Sequence, residues 1–160
     1  MLPFSAFVLW LHLAAMAVWV GGLFAISFVA IPVLRQAVDS PALAARLAAR
    51  TVRRFHRLSV EVVVLIVLTG IFNVMNAGIP RGFQFGAAYL QLLLLKLGLF
   101  LAIVGLQAWQ AFRLAPAMAA SPDPAPEVLR SLHRRLFWTS MLNGVLALIV
   151  VLLGLKLRVG

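Results

Sequence analysis

The chain contains no cysteine. That excludes disulfides, thiolate metal sites and thiol redox chemistry. Acidic residues are almost as scarce, with four against fourteen lysines and arginines in 160 residues, for a net charge of +10. No glycine-rich phosphate loop, hydrolytic triad or pair of catalytic carboxylates is present, so a hydrolase or nucleotide-dependent reaction has no support. Charge is scarce in four long runs, roughly 4–31, 58–78, 86–112 and 136–155, where Glu61 and Lys96 are the only charged side chains. Each is long enough to cross a bilayer as a helix, and the connections between them are too short for a soluble domain. The first run is also too long for a cleavable signal peptide, and no basic residue precedes it.

What is present is apolar. Hydrophobic residues make up 64% of the chain, against about one half in soluble globular domains. The sequence therefore predicts an all-α fold, an integral membrane four-helix bundle forming one transmembrane domain over residues 1–160. The positive charge is an orientation signal and not a nucleic-acid footprint. Arg35, Arg46, Arg50, Arg53, Arg54 and Arg57 lie between the first two runs, and Arg113, Arg130, Arg134 and Arg135 between the last two. Only Arg81 lies in the middle connection. The positive-inside rule then places the first and third connections in the cytoplasm and both termini outside.

Inside the first run stands His12, its only ionisable side chain. An ionisable group at that depth is costly and marks a functional candidate. Met16 and Trp19 share its face at helical spacing, and an imidazole beside a thioether is a soft metal-binding pair. Ala14, Ala17, Gly21 and Ala25 form a narrow face on the other side. The first helix is expected to end near Pro32. The Ala- and Arg-rich segment 42–57 either lies along the membrane surface or extends the second helix. That helix carries Glu61 about one turn inside the membrane, as a cation carrier or an arginine's partner. In the third helix Lys96, Gln107 and Gln110 share a stripe with Phe100 and Ile103. Ser121 to Pro126 forms a proline-broken loop. The fourth helix presents Thr139, Ser140 and Asn143 on one face. These stripes are expected to face the bundle interior.

The chain repeats itself at an offset of 84 residues. Gly21 matches Gly105, Pro32 matches Pro116, Asp39 matches Asp123, Arg46 matches Arg130, Arg50 matches Arg134 and Gly70 matches Gly154. This predicts two helical hairpins of the same orientation, a parallel internal repeat about an axis along the membrane normal. The repeat aligns His12 with Lys96 at equal depth, which points to one shared site. His56 and His133, at the cytoplasmic border, offer a second arrangement, a bis-histidine heme with Arg53, Arg54, Arg134 and Arg135 near its propionates.

Leu11-His12 followed by Trp19-Val20-Gly21-Gly22-Leu23-Phe24 resembles the first-helix signature of the copper-resistance protein D (CopD) family. Arg53-Arg54-Phe55 leading to Leu68-Thr69-Gly70 resembles its second helix, and Leu93-Leu94-Leu95-Lys96-Leu97 its third. Asn143-Gly144-Val145-Leu146 followed by Leu152-Leu153-Gly154 resembles the last helix of its short members. The resemblance implies a multi-pass protein of the bacterial inner membrane that handles copper in uptake, tolerance or transfer, and the imidazole of His12 with the thioether of Met16 is then the expected metal site. Its partners would be the lipid bilayer and a periplasmic copper carrier or redox partner, and a homo-oligomer is compatible. The chain is also similar to HemJ-type membrane proteins. That similarity implies the alternative cofactor, heme b held by His12 with Lys96, in which case the protein is an oxidoreductase.

Overall fold

The computed structural model describes residues 3–120 and 126–159, and every long element in it is a helix. Four helices are long and apolar enough to cross a membrane, Phe4–Ala37, Pro41–Arg81, Ala87–Ala119 and Arg130–Leu157. The first is α1 (Phe4–Phe24) continued by a π-helical stretch (Ala25–Ala30) and α2 (Ile31–Ala37). The second is α3 (Pro41–Gly78) with a short 3₁₀ turn (Ile79–Arg81). The third joins α4 (Ala87–Trp109), a π stretch (Gln110–Leu114) and α5 (Ala115–Ala119). The last is α6 (Pro126–Val159). At ~1.5 Å per residue each exceeds the ~30 Å of hydrocarbon, so the arginine-bearing ends project beyond it.

The first helix does not stop at Pro32, as the sequence suggests. A proline removes one helical donor and crowds the carbonyl four residues back. Here the wider π turn over Ala25–Ala30 precedes Pro32 and takes up that mismatch, so the chain continues to Ala37. Pro116 is treated the same way, with a π turn over Gln110–Leu114 before it. Adding 84 to 25–30 gives 109–114, so the repeat seen in sequence is also a repeat of backbone irregularities. The matched Asp123 and the proline-broken loop over 121–125 lie outside the described residues.

Segment 42–57 belongs to α3. Ser40 caps that helix, its Oγ accepting from the Leu43 N–H at 3.3 Å, and Pro41 supplies the preset first turn. Ala45, Ala48 and Ala49 are fully buried in a cluster with Leu114, Ala115 and Met118. Small side chains let these backbones approach closely. A second cluster, built on Trp19, Ile66, Phe100, Ile103, Ala147 and Val150, fills the middle of the bundle.

Helices α1 and α3 run antiparallel, with Phe4 against Phe72, His12 against Thr69 and Gly22 against Phe55. Helices α4 and α6 do the same, with Lys96 over Gly154 and Gln110 bonded to Ser140. Phe24 packs on Gly144 and Phe28 on Phe137, which joins the two hairpins along α1 and α6. The start of α1, the turn at Gly82 and the end of α6 therefore share one end of the bundle. The arginine-rich segments share the other.

Candidate functional site

Thr69 reaches His12 from α3. Its hydroxyl oxygen lies 2.6 Å from the Leu65 carbonyl and 3.2 Å from that of Ile66. A threonine at this helical position commonly bonds back to the preceding turn. The hydroxyl has one proton, and the near carbonyl takes it. The oxygen then accepts from His12, whose Nδ1 is 2.8 Å away. With two carbonyls and a hydroxyl oxygen gathered there, Nδ1 carries the ring's N–H. The lone pair is left on Nε2, the arrangement in which a histidine binds metal. The ring lies against Gly70, where a Cβ would stand 3.4 Å from His12 Cε1, in ordinary van der Waals contact.

His12 lines a cavity of about 710 Å³ at the end of the bundle that holds the Gly82 turn. The cavity runs along α1 and is walled by the last turns of α3, the first turns of α4 and the last turns of α6. Met16 lines it one turn after His12, and Lys96 lines it from α4. Asn73, Asn76 and Tyr89 add polar groups to an otherwise apolar wall. Lys96 is half-buried, and its ammonium lies over Gly154, where a Cβ would be 3.2 Å from Nζ. His12 against Gly70 and Lys96 against Gly154 are the same contact, 84 residues apart.

Among the described residues no three of histidine, cysteine, aspartate and glutamate come together. A hard, carboxylate-rich metal site is therefore not assembled there. The groups that line the cavity include an imidazole nitrogen, a thioether and an amine, alongside the oxygens of Asn73, Asn76 and Tyr89. Of these, the imidazole and thioether suit a soft ion such as Cu(I) better than magnesium, calcium or manganese.

The other polar candidates lie closer to the arginine-rich end. Gln110 Nε2 donates to Thr139 Oγ1 at 2.6 Å and approaches Ser140 Oγ at 3.2 Å. Gln107 Oε1 accepts from the Trp19 indole N–H at 3.3 Å, and Asn143 is fully buried. Glu61, expected among the buried polar residues, is exposed on α3 and faces away from the bundle. It forms no ion pair with a described residue, and its helical position lies off the stripe of Ser59, Ile66 and Thr69.

Neither of the two cavities described is lined by both His56 and His133. His56 packs edge-on against Phe112 at 5.1 Å and lines a pocket of about 20 Å³, room for one water molecule. His133 stands two turns before Ser140 on α6, outside the lining of that pocket. Ser27, Ser59 and Thr69, all buried, were not singled out as site residues by sequence reasoning. A serine or threonine in an apolar run satisfies itself on its own helix so readily that it gives little signal.

A protein-family model described as Copper resistance protein D matches residues 49–155, more than half of the chain. The match takes in Thr69, Lys96 and Asn143, and begins after the helix that carries His12 and Met16. No curated protein and no solved structure matches the chain.

Proposed function

The chain belongs to the copper resistance protein D family, and from that membership we propose that it handles copper inside the membrane, with His12 and Met16 as ligands to Cu(I). One observation carries this reading, the hydrogen bond from His12 Nδ1 to Thr69. It orients the ring and commits its proton, so the free Nε2 is available to the cavity that Met16 and Lys96 also line. Copper is here the cargo. Imidazole and thioether are soft enough to hold Cu(I) and neutral enough to release it.

Lys96 enters the ligand set only as a free amine, because a metal ligand must offer a lone pair. Copper binding through it then releases a proton. Protonated, Lys96 opposes the cation instead. The site is thus coupled to pH by a group on the repeat-equivalent helix.

The distribution of arginine supports an orientation with α3's start and α5 in the cytoplasm and the cavity in the outer half of the bacterial inner membrane. A periplasmic copper carrier would reach the cavity from that side. The heme alternative finds no support in the family match. Purified protein tests the choice. Copper-edge X-ray absorption with nitrogen and sulfur neighbours, and no strong Soret band, is the expected result. A strong Soret band from protein purified without added heme would overturn it.

A further inference from the structure

A group of polar atoms in the middle of the bundle has no hydrogen-bond partner among the described residues. Ser59 Oγ, Gln107 Nε2, both amide atoms of Asn143 and His56 Nδ1 are all enclosed. Asn143 is 0% exposed, Ser59 2% and Gln107 5%. An unanswered polar group in a membrane interior is costly, and buried polar groups without protein partners bind water.

The helix register brings these groups to one level. Lys96 meets Gly154 and Gln110 meets Ser140, so residue numbers facing across α4 and α6 sum to 250 in both pairs. Asn143 therefore stands opposite Gln107. The 84-residue repeat relates Asn143 to Ser59, which occupies the same depth on α3. Immediately toward the arginine-rich end lies the small pocket lined by Ser27, His56, Gln107, Gln110 and Ser140. Its volume of about 20 Å³ accepts a water molecule.

Trp19 lines neither space and lies between them on the bundle-facing stripe of α1, while the large cavity continues past it on the neighbouring face along Val20, Gly21 and Phe24. On the same stripe of α1, Met16 lines the cavity one turn before it and Leu23 lines the small pocket one turn after it. The indole is 1% exposed, stacks at a tilt on Phe100 at 5.3 Å and holds Gln107 by a long bond of 3.3 Å.

We propose that Ser59, Gln107 and Asn143 hold ordered water in a hydrated chamber that continues into the pocket at His56, and that Trp19 is the gate between this chamber and the cavity at His12. With Trp19 in place the water chain ends beneath the indole. Displacing the indole joins the two compartments into one aqueous path along α1, able to pass protons from water to water. The chamber rests on packing and hydrogen-bond geometry alone and stands whether or not the cavity binds copper.

The test uses the full chain in pyranine-loaded liposomes under a pH step. Wild-type protein and Trp19→Phe should leak protons no faster than protein-free vesicles. Trp19→Ala should leak several-fold faster, and adding Asn143→Leu should return the rate to that of wild type. A Trp19→Ala protein with normal helical content that does not leak overturns the proposal, as does a leak that Asn143→Leu leaves unchanged. If Trp19→Ala does not fold, a structure of the wild type in lipid nanodiscs that resolves water decides. Water between Asn143 and Gln107 supports the chamber, and a direct amide-to-amide bond in a dry core overturns it.

Discussion

The ammonium of Lys96 lies over Gly154 as the imidazole of His12 lies over Gly70, and the two contacts are 84 residues apart on both partners. Each half of the repeat thus brings a basic side chain from its first helix onto a glycine of its second. Both side chains meet one cavity. The duplication supplies the scaffold, and the difference between histidine and lysine supplies an asymmetric donor set.

Thr69 would act on the proposed copper site only through His12, since it does not itself line the cavity. Thr69→Val keeps the shape and removes the acceptor that holds Nδ1–H. Loss of such a supporting bond typically weakens metal affinity by roughly 10–100-fold. Thr69→Ser should retain most of it. Competition titration of Cu(I) against a chromophoric chelator measures both variants.

Copper affinity should rise with pH through Lys96. A ligand that must lose a proton binds better as protons become scarce, so wild-type affinity should be weaker in acid and stronger in alkali. Lys96→Met should flatten that dependence, leaving the part due to His12. Titrations across a pH series read the slope directly, and parallel slopes in the two proteins would remove Lys96 from the ligand set.

The glycine pair Gly21-Gly22 separates packing from composition. A Cβ at Gly22 would lie 2.5 Å from the Phe55 ring, while one at Gly21 meets nothing within 4 Å. Gly22→Ala should therefore destabilise the fold by about 1–3 kcal/mol, the usual cost of overpacking. Gly21→Ala should be neutral. Thermal unfolding in detergent distinguishes them.

Much of this was legible in the residues. Four apolar runs gave four helices, and the 84-residue match of Gly70 with Gly154 placed His12 and Lys96 at one depth. Pro32 misled because a proline signals a helix end, and a π turn that accommodates it leaves no mark in the sequence. Glu61 misled because a residue near an apolar stripe can face the bundle or the outside with a rotation of a few tens of degrees. Thr69 was visible, but its bond to His12 was not. That bond depends on the register between α1 and α3, set by Phe55 against Gly22 and Phe72 against Phe4.

The orientation is testable apart from the chemistry. Reporter fusions in the Gly82 turn should report the outside, and fusions after Ala119 the cytoplasm, following the excess of arginine at the latter end. The reverse pattern would place the His12 cavity in the inner half and remove the case for a periplasmic carrier.

Bound Cu(I) per chain in wild type, His12→Ala, Lys96→Met and the double variant tests the central claim most directly. His12→Ala should lose copper, Lys96→Met should bind markedly less, and the double variant should be little worse than His12→Ala, because residues of one site are not additive. Wild-type copper loading in His12→Ala would contradict the account.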